Sequence, residues 1–154
     1  AFDPKGFADA IVSNALEIRS AQFDRILFWS CCPSHAENQC YNFAELALGG
    51  VEKLTLSQLL TLPLPIRAGD FFITDRFHPH LYGARSGASG YTLTRGSYYG
   101  PKHRSVTALG STFGRYAGSG GMILERENSR IDNATLVRRK KRTADYICGS
   151  LDKP

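Results

Sequence analysis

The chain predicts an α+β fold on three observations. Apolar residues recur at helical spacing through its first third. Short β-prone runs take over from Gly69, and glycines punctuate them as hairpin turns would. Helices first and strands second imply N-terminal helices packed on a small antiparallel sheet. The 154 residues suit one domain, 1–154, with a basic C-terminal extension from about residue 129.

Taken in order, Asp3-Pro4 reads as an N-cap followed by proline at the first helical position. Phe7, Ala8, Ile11, Val12, Ala15 and Ile18 then keep one helical stripe to about residue 20. Phe23 to Trp29 is an apolar run that fits either a strand or a buried helical turn. The segment from Cys31 to Gln39 reads as a loop. Asn38 reads as the cap of a second helix, with Phe43, Leu46 and Ala47 on one face and Gly49 at its end. Thr55 and Gln58 form a capping box for a short helix that Pro63 and Pro65 terminate. Phe71–Thr74 is a strand. A turn over Asp75–Pro79 leads into a strand from His80 to Tyr82, and Tyr91–Arg95 and Gly121–Glu127 are further strands. Val106–Leu109 is a weaker strand candidate.

Composition narrows the classes. A hydrophobic fraction of 42% and seventeen aromatics exclude a disordered chain. No run approaches the ~20 apolar residues that a bilayer span needs. The net charge of +5 points to an anionic partner, and Arg138, Arg139, Lys140, Lys141 and Arg142 supply as much positive charge as the whole excess. Four cysteines, Cys31, Cys32, Cys40 and Cys148, are too few for a disulfide scaffold. Adjacent cysteines rarely bond each other, so at most one of the first two pairs with Cys148, which leaves Cys40 free. Asn133-Ala134-Thr135 matches a glycosylation sequon, a pattern that also arises by chance.

The candidate chemistry starts at Cys40. In the first turn of a helix that Asn38 caps, dipole and free N–H groups would favour a thiolate. A thiol nucleophile needs an imidazole to take its proton and return it to the leaving amine. Downstream stand Gly69-Asp70-Phe71-Phe72-Ile73 and Phe77-His78-Pro79-His80-Leu81-Tyr82-Gly83. This order of cysteine, Gly-Asp and histidine resembles the NlpC/P60 and CHAP branch of papain-like cysteine peptidases and amidases, over residues 36 to 97.

The resemblance implies a papain-like architecture and cleavage of an amide bond through an acyl-enzyme. Cys40 would be the nucleophile and His80 or His78 the base. Pro79 suits the residue before a strand, which favours His80; the position of Tyr82 favours His78. Backbone N–H groups at the helix start would hold the oxyanion. The resemblance also implies a peptide of bacterial peptidoglycan as substrate, no metal or other cofactor, and secretion or delivery to the cell wall. It normally includes a polar residue on the next strand, where this chain offers Thr92, Thr94 and Arg95, with His103 further on.

Two other readings use the same residues. His78 and His80 could be the metal-binding pair of an HUH-type nicking enzyme, with Tyr99 as nucleophile and Lys102 three residues on. Cys31, Cys32, His35 and Cys40 could close on a zinc ion in a basic nucleic-acid-binding protein. There Tyr98, Tyr99 and Lys102 would meet the bases. Glu125-Arg126-Glu127 reads as the exposed face of a strand.

Overall fold

In the computed structural model the described residues are 4–61, 63–93 and 98–116, with positions 134, 137, 138 and 141. They form α1 (Pro4–Ser13), α2 (Ala15–Ser20), β1 (Ile26–Trp29), α3 (His35–Leu48), β2 (Val51–Leu54) and α4 (Leu56–Thr61). Then follow β3 (Phe71–Thr74), α5 (Phe77–Ser86), β4 (Ser89–Thr92), α6 (Tyr99–Thr107) and β5 (Gly114–Arg115). The mixture of helix and strand agrees with the α+β expectation. The sheet does not.

Among the described residues every strand pair is parallel. β1 pairs with β2 from Ile26↔Val51 to Trp29↔Leu54, β3 with β4 from Phe71↔Ser89 to Thr74↔Thr92, and β4 with β5 at Tyr91↔Gly114. The reason lies in the connections. A parallel pair needs a crossover, and α3, α5 and α6 each supply one. The expected strand at His80–Tyr82 is the middle of α5, and Val106 belongs to α6. Pro79 falls in the first turn of α5, where a proline costs no helical hydrogen bond. Gly87 ends α5 in the left-handed conformation (φ 83°, ψ 20°), so it is a helix cap and not a hairpin turn. The antiparallel, papain-like sheet is therefore replaced by parallel βαβ units.

Contacts between the two hydrogen-bonded sheets run from β1 to β3. Phe23, just before β1, packs on Phe71 at 6.3 Å between ring centroids, and Trp29, ending β1, packs on Phe72 at 5.5 Å. Glu37 and Arg76, which follow the two strands, approach to 3.9 Å. The hydrogen-bonded order is β1-β2 in one sheet and β3-β4-β5 in the other.

The core beneath β1 and β2 joins Ile11, Ile18, Phe28, Cys40, Ala44 and Val51. The expected long first helix is broken at Asn14, whose buried amide donates to the Ala10 carbonyl at 2.7 Å and diverts the helix. The capping box at Thr55 and Gln58 forms as expected, with Gln58 Oε1 accepting from the Thr55 N–H at 2.8 Å. α3 begins earlier than expected: Ser34 is its cap, accepting from the Glu37 N–H at 3.2 Å, so Cys40 lies in the second turn. The strand expected at Gly121–Glu127 lies outside the described residues, as do Thr94 and Arg95 of the expected Tyr91–Arg95 strand. Of the basic cluster, Arg138 and Lys141 are exposed on helical backbone and the rest lies outside them. Among the described residues no helix is long and apolar enough to cross a membrane.

β4 can lie against β3 only because position 90 has no side chain. Gly90 has φ 154°, and an added Cβ would run into the Phe72 carbonyl. Gly90→Ala should cost on the order of 3 kcal/mol in chemical denaturation. A loss below about 0.5 kcal/mol would show that this strand contact is not fixed.

Candidate ligand-binding site

A cleft of about 500 Å³ lies between β1 and β3, lined at their carboxyl ends by Trp29, Cys31, Glu37, Asp75 and Arg76 and at their amino ends by Phe23, Asp24, Arg67 and Asp70. The first turns of α3, α5 and α6 follow the carboxyl ends of β1, β3 and β4. Ser34 caps α3, but Arg76 and Tyr98, the N-cap residues of α5 and α6, make no side-chain cap. Neither helix start thus carries a side-chain cap on its N-cap residue, and helix dipoles favour negative charge at such ends.

Arg76 stands between them. Its backbone N–H donates to Thr74 Oγ1 at 2.9 Å, which fixes the turn. Its guanidinium lies 3.5 Å from Asp75 and 3.9 Å from Glu37 and bonds the Tyr99 side chain. Burial works against the charge, but Asp75, Tyr99 and Glu37 outweigh it and hold the guanidinium pKa above its ordinary value. The Arg76 side chain stays 23% exposed, whereas that of Glu37 is 5% exposed. Glu37 accepts from Ser30 Oγ at 2.8 Å and from the Cys32 N–H at 3.1 Å. The carboxylate that closes the first crossover thereby also holds the arginine of the second.

Cys40 and His80 are not brought together as a catalytic pair. Cys40 is 0% exposed in the helical core, with Sγ 3.7 Å from the Pro4 carbonyl. His80 is also 0% exposed, and both ring nitrogens are engaged: Nδ1 with His103 Nδ1 and Nε2 with Ser111 Oγ, each at 2.8 Å. His78 is exposed on α5, its ring stacked 6.2 Å from that of Tyr82. Residues two apart on a helix face different ways, so His78 and His80 cannot chelate one ion as neighbours on a strand would. Tyr99 opens α6. The zinc window is also dispersed: Cys32 and His35 are exposed while Cys40 is enclosed. Among the described residues, no three His, Cys, Asp or Glu side chains gather as metal ligands. Burial first, then Glu37, pushes the Cys31 thiol up to about 11, away from thiolate chemistry.

The buried histidines form a directed chain. His103 Nε2 lies 3.2 Å from the Asp75 carbonyl, which can only accept, so this nitrogen carries the proton. His103 Nδ1 then accepts from His80 Nδ1–H, and His80 Nε2 accepts from the Ser111 hydroxyl. Ser111 Oγ in turn accepts from the Phe113 N–H at 3.2 Å. Burial, reinforced by His103, lowers the His80 pKa from 6.5 to about 4; burial also lowers that of His103, against the Asp75 carbonyl.

The sequence reading missed Arg76 and Glu37. A signal for both was present: Ser34-x-x-Glu37 is a capping-box pattern, and Arg76 follows an apolar strand and precedes a proline-marked helix start. No family model, curated protein or solved structure matches this chain.

Two measurements check this arrangement. In the native protein, alkylation should label exposed Cys32, with Cys40 reacting at least ~100-fold more slowly until the fold is opened. Equal rates would put Cys40 at the surface. The second is stability against pH. Both histidines have lowered pKa values, so the unfolded chain binds more protons on acidification. Their contribution is complete above about 6.5 and is lost as pH falls toward about 4. Denaturant unfolding at pH 4.5 should show a loss of about 2 kcal/mol from His80 relative to pH 7.5. Unchanged stability would contradict a neutral pair.

Proposed function

We infer that this chain binds a phosphate-bearing small molecule at the carboxyl-end mouth of the cleft between β1 and β3. The observation that carries the reading is Arg76, held by Glu37, Asp75 and Tyr99 at the point where the two sheets part. In open parallel sheets ligands enter the crevice where successive crossovers leave in opposite directions. A guanidinium matches a phosphate fork to fork, and helix dipoles favour negative charge at helix starts. The net charge of +5 is in keeping with an anionic ligand.

The amide-hydrolase reading draws no support from this arrangement. Its nucleophile is enclosed among apolar side chains, and both nitrogens of His80 are committed elsewhere. The HUH and zinc readings lack a gathered ligand set among the described residues.

The reading is tested with inorganic phosphate, pyrophosphate and ADP as probes in thermal unfolding and equilibrium dialysis. At about 100 times its dissociation constant a bound probe should stabilise by about 2.7 kcal/mol, a rise of several degrees in Tm. Arg76→Ala should weaken that probe at least tenfold, since bonds to a charged donor are worth about 1.5–3 kcal/mol. The reading fails if no probe shifts the transition, or if Arg76→Ala binds as the parent does.

A further inference from the structure

The Ser111–His80–His103 chain ends on the Asp75 carbonyl, the peptide group that leads into Arg76. It is enclosed, and no part of the proposed ligand contact uses it. We propose that His103 is a positioning residue for Arg76, and that with His80 it makes anion binding at the crevice fail in acid. The proposal rests on the reading of that crevice as an anion site.

The geometry works in two steps. In the neutral state each nitrogen has one role. His103 holds the 75–76 peptide through Nε2–H and lies against Tyr99, 6.3 Å between ring centroids, while Tyr99 bonds Arg76. A first added proton forces Ser111 to give up its donor role toward His80. A second puts two N–H groups face to face across 2.8 Å, so the rings, and with them α5 and α6, must part. Arg76 begins one of these helices and Tyr99 the other. Separation therefore breaks the anchor apart from both sides.

The titratable or charged groups around the pair come from three places. α6 brings Tyr99, and Lys102, whose Nζ lies 2.8 Å from Tyr98 Oη; the β3–α5 turn brings Asp75 and Arg76. α5 itself carries His78 on its exposed side. Residues 109–113 bring Ser111 and Phe113, which carry no charge, with Phe72 of β3 behind them.

The probe is inorganic sulfate, which stays mostly the dianion between pH 7.5 and 3, followed by NMR titration of the whole chain. The wild type should bind at pH 7.5 and lose affinity as pH falls through about 4, by about tenfold at pH 3. His103→Gln keeps an acceptor for His80 and a donor for Asp75 but cannot be charged. It should bind within about threefold of wild type at pH 7.5 and keep that affinity at pH 3. Affinity that holds or rises in wild-type acid titration, or falls equally in His103→Gln, overturns the proposal while leaving the site reading intact. Arg76→Ala binding sulfate as wild type does would instead remove the site reading. Ring-nitrogen spectra of the wild type at pH 7.5 need no variant to fold. They should show protons on His103 Nε2 and His80 Nδ1, and the opposite tautomers would overturn the chain described here.

Discussion

The buried carboxylate of Glu37 is the group on which the arrangement of the two sheets depends. It gathers Ser30 and the Cys32 N–H from the end of β1 and reaches Arg76 beyond the end of β3. Aromatic contacts join the sheets elsewhere, but they are not directional enough to fix a turn. A buried ion pair of this kind adds little net stability, because desolvation offsets the attraction. Its contribution here is geometric. Removing the carboxylate would release the β1–α3 loop and leave the arginine to Asp75 and Tyr99.

That constraint explains which parts of the fold could be read from residues. Phe71–Thr74 is apolar and β-prone, and it is a strand; Thr55 and Gln58 signal a cap, and the cap forms. Both features are local. Strand direction is not local. It depends on whether the segments between strands are turns or helices, and α5 and α6 are poor helices by pattern. Each carries a proline and a glycine, and α5 ends on Gly87, a residue equally suited to a hairpin. Their helicity comes from packing on the sheet, which outweighs intrinsic propensity.

The site was less legible than the fold, for a related reason. Cysteine and histidine stand out in a sequence, yet both chosen residues are interior. Cys40 fills a helical core as a small apolar side chain, and His80 completes a polar chain that needs no solvent. The pattern Ser34-x-x-Glu37 was visible, but its use was not. In a closed capping box the glutamate returns to the cap residue. Here it turns instead to Ser30 and Cys32, a choice that only the position of the β1 strand end dictates.

Arg76 is held by a hydrogen bond to Tyr99 and, at longer range, by two carboxylates. Its approaches to Asp75 and Glu37, 3.5 and 3.9 Å, are longer than the 2.7–2.9 Å of a tight charge-assisted bond. Glu37 does not require the arginine for satisfaction, since Ser30 and Cys32 already donate to it. The five N–H donors of the guanidinium face Asp75, Glu37 and Tyr99. In the proposed complex a phosphate would take its fork while Glu37 keeps Ser30 and Cys32 as donors. The carboxylates keep the guanidinium charged and aimed, and the cleft supplies the space into which it is aimed.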